Sequence, residues 1–183
     1  MTRLLILSSL LFLFIIAGCA KEVIVVQPGS ENSNQPSFNG EPADNASASD
    51  KHLQQAKMFY ARDKYKQALQ HCEKSIEFNN RNWEAYYYLG LVMQKRREYT
   101  RSIETLNDGL KFAPDNKLVK AELHCALGHS WESLGRYEEA RKQYDLALSL
   151  NPQNEAARKG RNRIEVEKTL KNWGKDKDID YEG

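Results

Sequence analysis

Apolar side chains recur every three to four residues from residue 53 to residue 150, the period at which a helix buries one face. The first set predicts two helices, at 51–63 and 65–78. Asn82 precedes the next apolar set and is a good helix N-cap residue. Four further helices are predicted after it: Trp83–Arg97, Tyr99–Phe112, a helix from Asp115 or Asn116 to Leu134, and Tyr137–Leu150. The pattern therefore predicts an all-α chain built from three helix pairs.

The three helix pairs repeat one another. Ala56, Gly90 and Gly128 stand at the same position of their pairs, 34 residues apart and then 38 apart. The longer step fits a four-residue insertion, 117–120, that lengthens the first helix of the third pair. These small residues would let the paired helices approach closely, and a repeat of this length is the signature of a solenoid. Two other shared positions should fill the core between helices: Tyr65, Tyr99 and Tyr137 at one, and Cys72, Leu106 and Tyr144 at the other.

The third pair carries the fullest version of the pattern: Leu127-Gly128, Trp131, Gly135-Arg136-Tyr137, Ala140, Tyr144, Ala147 and Pro152. On these residues the chain resembles the tetratricopeptide repeat (TPR) family, whose unit is a helix-turn-helix of about 34 residues. The resemblance implies a short right-handed TPR solenoid within residues 50–154. The expected parts are repeats at 49–82, 83–116 and 121–154, a charged capping helix at 155–172 and a disordered tail at 173–183.

The N-terminal segment is typical of an exported protein. Residues 1–18 are interpreted as a signal peptide, because the basic Arg3 precedes an apolar core of the usual length. The end of this segment resembles the lipobox of bacterial lipoproteins: Ile16-Ala17-Gly18-Cys19. That resemblance implies lipidation of Cys19 and, because Ala20 follows it, a place on the outer membrane of a Gram-negative cell, facing the periplasm. The polar segment 19–49 cannot bury enough apolar area to become ordered and is predicted to be a disordered tether.

Composition and charge exclude several classes of function. The formal net charge is only +2, from 27 basic and 25 acidic side chains, so no overall field selects nucleic acid. Three cysteines are too few for a disulfide scaffold. The sequence contains no phosphate-binding loop, Gly-x-Ser-x-Gly elbow or His-Glu-x-x-His motif, and the repeats occupy nearly all of the foldable chain. We therefore expect a non-catalytic protein without a cofactor.

Binding is expected in the concave groove, which in the TPR family is lined by the first helix of each repeat. The positions that correspond to this lining combine an aromatic and aliphatic centre with charged edges. Such a surface suits a protein or peptide segment that has apolar anchor residues. The predicted groove residues are Leu53, Lys57 and Tyr60 in the first repeat, Glu84, Tyr87, Leu91, Gln94 and Lys95 in the second, and Glu122, Cys125, His129 and Glu132 in the third.

The same helices suggest two more specific sites. One TPR subclass clamps a chaperone's C-terminal carboxylate with Lys, Asn and Arg, but at the corresponding positions here only Lys57 has suitable chemistry, and the clamp is rejected. On the third repeat, Cys125 and His129 are one helical turn apart. This spacing can ligate zinc or copper, with a carboxylate as the third ligand. A contact with a bound peptide is the preferred interpretation, and a metal or small-ligand site is kept as an alternative.

The functional hypothesis is a membrane-anchored scaffold that binds a protein partner through its groove. The chain loosely resembles the pilotin-type TPR lipoproteins, which implies assistance to a secretin, a type IV pilus or another envelope complex. An adaptor for peptidoglycan enzymes or for outer-membrane protein assembly would share every sequence feature and is the alternative.

Overall fold

The computed structural model describes residues 42–177, and this part of the chain is helical with short connections. Its helices are α1 Pro42–Ala61, α2 Tyr65–Phe78, α3 Trp83–Lys95, α4 Tyr99–Phe112, α5 Lys117–Ser133, α6 Tyr137–Leu150 and α7 Glu155–Lys177. The predicted all-α fold is confirmed. The predicted signal peptide, Cys19 and the tether up to residue 41 lie outside the described residues, as does the tail from residue 178. None of the described helices is both long and apolar enough to cross a bilayer.

The helices pack as successive pairs. α1 contacts α2, α3 contacts α4 and α5 contacts α6, and the second helix of each pair also contacts the helix that follows. α3 additionally touches α1 and α5. α7 contacts α6 and α5 in the same way that α5 contacts α4 and α3. α7 therefore takes the place that the first helix of a fourth repeat would occupy.

α1 begins earlier than the apolar pattern predicts. The tether prediction is wrong for residues 42–49, which are helical. Ser49 is fully buried, and the hydroxyls of Ser49 and Ser75 each donate to the other residue's carbonyl oxygen at 2.9 Å. The side-chain amide of Asn82 donates to the hydroxyl of Ser49 at 3.0 Å. Buried hydrogen bonds fix this polar segment, and hydrophobic periodicity gives no signal for them.

The capping helix also differs from its prediction. α7 runs Glu155–Lys177, so it passes the predicted end at 172, and the tail prediction is wrong for residues 173–177. Asn154 is buried at the start of this helix, where its side chain accepts a hydrogen bond from the amide of Ala157 at 2.9 Å. α5 has 17 residues against 13 in α3, as the four-residue insertion predicts, although α1 is longer still with 20.

The turn inside each helix pair uses one backbone conformation. Asp63, Arg97 and Gly135 stand at equivalent positions and have φ angles of 55°, 63° and 74°. Glycine adopts positive φ without steric cost, whereas other residues are strained there. The third repeat therefore has the least strained turn. At the next junction, Asn82 caps α3 as predicted, because its side chain accepts from the amide of Ala85 at 3.3 Å.

One side chain from the second helix of each pair fills the core beside a small residue of the first helix. Cys72, Leu106 and Tyr144 are at most 1% exposed, which confirms their predicted core position. A Cβ atom added to Gly90 would lie 2.6 Å from Leu106, and one added to Gly128 would lie 2.6 Å from the ring of Tyr144. These distances are far below van der Waals contact, so the glycines are required by close approach.

One position of the following unit changes in size along the repeats in the opposite sense to this core side chain. Cys72 shares a cluster with the ring of Tyr88, and Leu106 shares one with Ala126. Tyr144 faces Gly160 of α7, where an added Cβ would overlap the ring. Tyr88, Ala126 and Gly160 are 38 and then 34 residues apart, so they occupy one position of the repeat. Because the residue at this position shrinks as the core residue grows, each interface can be filled without overlap.

Candidate functional site

α3, α5 and α7 surround an open cavity of about 880 Å³, to which α6 adds two tyrosines. We call it the α3–α5–α7 groove. Its lining mixes aromatic and aliphatic side chains with acidic and basic ones. The lining residues are Tyr87, Leu91 and Gln94 of α3, Glu122, Cys125, Ala126, His129, Glu132 and Ser133 of α5, Tyr137 and Tyr144 of α6, and Ala156, Lys159, Arg163, Ile164 and Glu167 of α7.

The structure brings together only part of the predicted groove. Seven of the predicted residues line the cavity: Tyr87, Leu91, Gln94, Glu122, Cys125, His129 and Glu132. Leu53 is only 4% exposed, so the prediction that it faces a partner is wrong. α1, which carries Leu53, packs on both α2 and α3. Four predicted residues do not line the cavity. Lys57 and Glu84 form an ion pair at 2.6 Å instead, and the other two are Tyr60 and the exposed Lys95.

A row of aromatic rings leads from α1 to the groove. The rings of Tyr60 and Tyr88 meet edge to face with centroids 5.9 Å apart, and those of Tyr88 and Tyr87 do so at 5.6 Å. Edge-to-face contacts of this kind are favourable for aromatic pairs. The Nζ atom of Lys57 lies 5.4 Å from the centre of the Tyr88 ring, within range of a cation–π interaction. Tyr87, which lines the groove, is thus linked to α1 through its ring contact with Tyr88.

Gln94, which lines the groove, connects α3 to α5. Its side-chain amide donates to the carbonyl oxygen of Ala126 and to the hydroxyl of Ser130, both at 2.8 Å. The hydroxyl of Ser130 is in turn 3.0 Å from that of the buried Ser102. Both N–H groups of the Gln94 amide are therefore used within the fold, and the remaining polar atom of the amide is its oxygen, a hydrogen-bond acceptor.

Glu132 ties α5, α6 and α7 together at one end of the groove. Its carboxylate accepts a hydrogen bond from the Tyr144 hydroxyl at 2.6 Å and two from the Arg163 guanidinium, each at 2.8 Å. Burial alone would raise the pKa of Glu132, but the hydrogen bonds from Arg163 and Tyr144 outweigh it and the net shift lowers the pKa. A two-pronged guanidinium contact fixes orientation as well as distance. This network holds the α7 side of the groove in place.

Cys125 and His129 lie on the groove face of α5 in an environment that disfavours metal. Burial raises the pKa of the Cys125 thiol to about 11, and Glu122 adds to the shift, whereas a metal ligand must be a thiolate. Partial desolvation of the His129 ring in the groove lowers its pKa and keeps the ring neutral, which does not by itself oppose metal binding. Among residues 42–177, no three His, Cys, Asp or Glu side chains are grouped so that they could hold an ion. Glu122 and Glu132 accept hydrogen bonds from Asn154 and from the α7 guanidinium instead. These contacts favour the peptide-contact interpretation of the two residues.

The α7 side of the groove is absent from the predicted lining, because the charged pattern of this helix indicates only a cap. The repeat length gives a signal for this side of the groove. Three lining residues of α7 stand 34 positions after Glu122, Cys125 and His129: Ala156, Lys159 and Arg163. The groove face of α7 is therefore the continuation of the lining that the first helices of the repeats provide.

Comparison with known proteins supports this assignment of the repeats. Residues 121–154 match the family model described as tetratricopeptide repeat. The Arabidopsis OM64 TPR domain matches with a TM-score of 0.63 and 22% identity, over 67% of this chain and 98% of that chain. The fold is a TPR solenoid.

Two further TPR structures have peptides bound. The second TPR domain of human RPAP3, in complex with the HSP70 peptide SGPTIEEVD, matches with a TM-score of 0.59 and 18% identity, over 68% of this chain and 98% of that chain. The first TPR of Spaghetti (RPAP3), bound to the HSP90 peptide SRMEEVD, matches with a TM-score of 0.62 and 15% identity, over 68% of this chain and 95% of that chain. At these low sequence identities, the structural similarity shows that this chain has the TPR solenoid fold.

The TPR solenoid of this chain differs from a carboxylate clamp in the chemistry of its concave face. Lys57 is the one residue with suitable chemistry at the clamp positions, and its charge is neutralised by Glu84 at 2.6 Å. Tyr88 and Ala126, which occupy two other clamp positions, pack in the core clusters of the repeats. The apolar centre of the α3–α5–α7 groove is therefore the stronger candidate for contact with a partner.

Proposed function

We propose that this protein is a non-catalytic scaffold that binds a segment of a partner protein in the α3–α5–α7 groove. The observation that carries the proposal is a cavity of about 880 Å³ in which partly buried apolar side chains meet charged ones. Tyr87, Leu91 and Tyr137 supply the apolar contacts. The proposal is further supported by the two TPR domains of similar fold that bind peptides from HSP70 and HSP90.

The chemistry of the groove indicates what kind of segment it binds. Most charged side chains that line it are paired within the fold, as Arg163 is with Glu132 and Glu167 with Lys171. A segment that depends on a free terminal carboxylate would therefore find no clamp. We infer a segment held by apolar anchor residues against Tyr87 and Leu91, with a backbone or side-chain N–H donated to the carbonyl oxygen of Gln94.

Photo-crosslinking in cells tests this proposal. A photoreactive amino acid at Leu91 is expected to give one defined crosslinked protein, because this position lines the groove. Leu146 is the matched control, since it is 45% exposed on α6 and does not line the groove. Absence of a product from Leu91, or the same product in equal yield from Leu146, would place the binding surface elsewhere.

We also propose that a lipid on Cys19 anchors the domain to the outer membrane, facing the periplasm. The support is the lipobox-like sequence that ends at this cysteine and the alanine that follows it. Each buried acyl methylene adds about 0.8 kcal/mol of membrane affinity, so several chains give a stable anchor. Cys19→Ser is expected to move the protein from the membrane fraction to the soluble fraction with unchanged helicity. Cys125→Ser should remain in the membrane fraction, and retention of Cys19→Ser there would contradict the anchor.

For the cellular role we propose assistance in the assembly of an envelope complex, such as a secretin or a type IV pilus. The loose resemblance to pilotin-type TPR lipoproteins supports this role. The identity of the protein crosslinked from Leu91 separates it from the alternative, in which the scaffold serves peptidoglycan enzymes or outer-membrane protein assembly.

A further inference from the structure

Two histidines face each other across the contact between α1 and α2. The Nδ1 atoms of His52 and His71 are 3.0 Å apart, and the ring centroids are 5.3 Å apart. Phe78 stacks on His52 with centroids 5.4 Å apart, and Phe59 stacks on His71 at 5.2 Å. The four rings form a row along the helix contact, in which the two histidines are partly buried.

The short Nδ1–Nδ1 distance restricts the protonation of this pair. A hydrogen bond between the two atoms requires a proton on one Nδ1 and a lone pair on the other. A first added proton can bind the outer nitrogen, Nε2, of the donor ring and leave the hydrogen bond intact. A second proton would have to bind the accepting Nδ1, which would bring two N–H groups and two positive rings together at 3.0 Å. The folded pair therefore accepts one extra proton but not two.

The surroundings also oppose a second positive charge. Burial is the largest cause that lowers the pKa of His52 and of His71, and Lys74 lowers both further. For His52 the shift is opposed only in part, by the carboxylate of Glu77. Among the described residues, α3 contributes no charged group to either shift. The charged groups around the pair are Lys51 on α1 and Glu73, Lys74 and Glu77 on α2.

We propose that His52 and His71 form an acid-sensitive latch, which holds α1 against α2 at neutral pH and releases it when both rings become protonated. In the unfolded chain both histidines titrate near the ordinary value of 6.5. Below that pH the unfolded chain binds more protons than the folded pair, so the stability of the α1–α2 contact falls as the pH falls. Release of α1 would remove Lys57 and Tyr60 from their contacts with α3. The latch thus makes the first repeat, beside the groove, dependent on pH.

Amide hydrogen exchange at about pH 7 and about pH 5 tests the latch, after correction for the intrinsic rates. Protection of α1 amides, relative to those of α4, which contains no histidine, is expected to fall at least about tenfold on acidification. In the double variant His52→Phe with His71→Phe, which keeps a row of stacked rings, this relative fall should disappear. His124→Gln is the matched control, because His124 bonds to Gln143 between α5 and α6 and lies outside the latch. It should respond as the wild-type protein does.

An unchanged α1 response in the double variant, or no selective response in the wild-type protein, would overturn the latch. If the double variant does not fold, His71→Gln replaces it, since glutamine can bond to His52 without titrating. A response equal to wild type in that variant would also overturn the proposal. Nitrogen NMR of the full chain gives an independent check at neutral pH: one ring of the pair should carry its proton on Nδ1, and finding both protons on Nε2 would contradict the geometry.

Discussion

Replacing Gly160 with alanine is expected to lower the free energy of unfolding by about 1–3 kcal/mol. The same change at an open helix position would raise it by about 1 kcal/mol, because alanine is the better helix former. Here the added methyl group would overlap the ring of Tyr144, which is 1% exposed and confined on its other side by Gly128. Steric overlap therefore outweighs helix propensity. Urea denaturation of the purified domain measures the difference.

A second substitution should rescue part of this loss. Tyr144→Leu alone leaves a cavity and is expected to cost about 2 kcal/mol or more. Combined with Gly160→Ala, it copies the pair that the preceding interface uses, Leu106 with Ala126. The double variant should lose less free energy of unfolding than the two single variants lose in sum. We expect the difference to be at least about 1 kcal/mol.

The two single variants and the double variant form a double-mutant cycle. The double variant will not regain the full stability of the wild-type protein, because Tyr144→Leu also removes the hydroxyl that donates to Glu132 at 2.6 Å. Tyr144→Phe isolates that hydrogen bond and serves as the control. Strictly additive losses in the Gly160 and Tyr144 cycle would mean that the two positions do not constrain each other, against the size matching seen at the repeat interfaces.

The sequence predicts the fold well where apolar periodicity and small residues determine it. Gly128 and Tyr144 identify both the repeat and the close packing inside it, since a wide side chain needs a glycine opposite. The start of α1 is different. Ser49 is polar, so it does not contribute to the apolar period that predicts helices. Its place in the helix depends on hydrogen bonds to Ser75 and Asn82, which are 26 and 33 residues away. Contacts at such separations are set by tertiary packing, which local patterns do not encode.

The candidate site was predictable to a smaller extent. The 34-residue period places Tyr87, Leu91 and Cys125 on one face, and the structure brings them to one cavity. The period does not predict the environment of Leu53, because the corresponding position of the first repeat is buried. The contribution of Arg163 is also invisible in the pattern of apolar residues. Its place is fixed by two hydrogen bonds to Glu132, 31 residues away.

Replacing Tyr87 and Leu91 together with alanine is expected to weaken partner binding about 10- to 100-fold, which corresponds to about 1.4–2.8 kcal/mol. A few central aromatic and aliphatic side chains usually supply most of the affinity at such a surface. Both residues also pack against the core cluster around Leu106 and Leu127, so some loss of stability is expected. Binding is therefore measured well below the unfolding temperature of the variant. His129→Ala, at an exposed position of the same groove, gives a milder change with little effect on packing.

The most direct measurement is isothermal titration of the partner segment that crosslinks to position 91, prepared as a peptide. It is titrated into the wild-type domain, the Tyr87→Ala/Leu91→Ala variant and the Leu146→Ala control. We predict a Kd that rises about 10- to 100-fold in the groove variant and stays within about twofold of wild type in the control. Equal Kd values for all three proteins would contradict binding in the α3–α5–α7 groove.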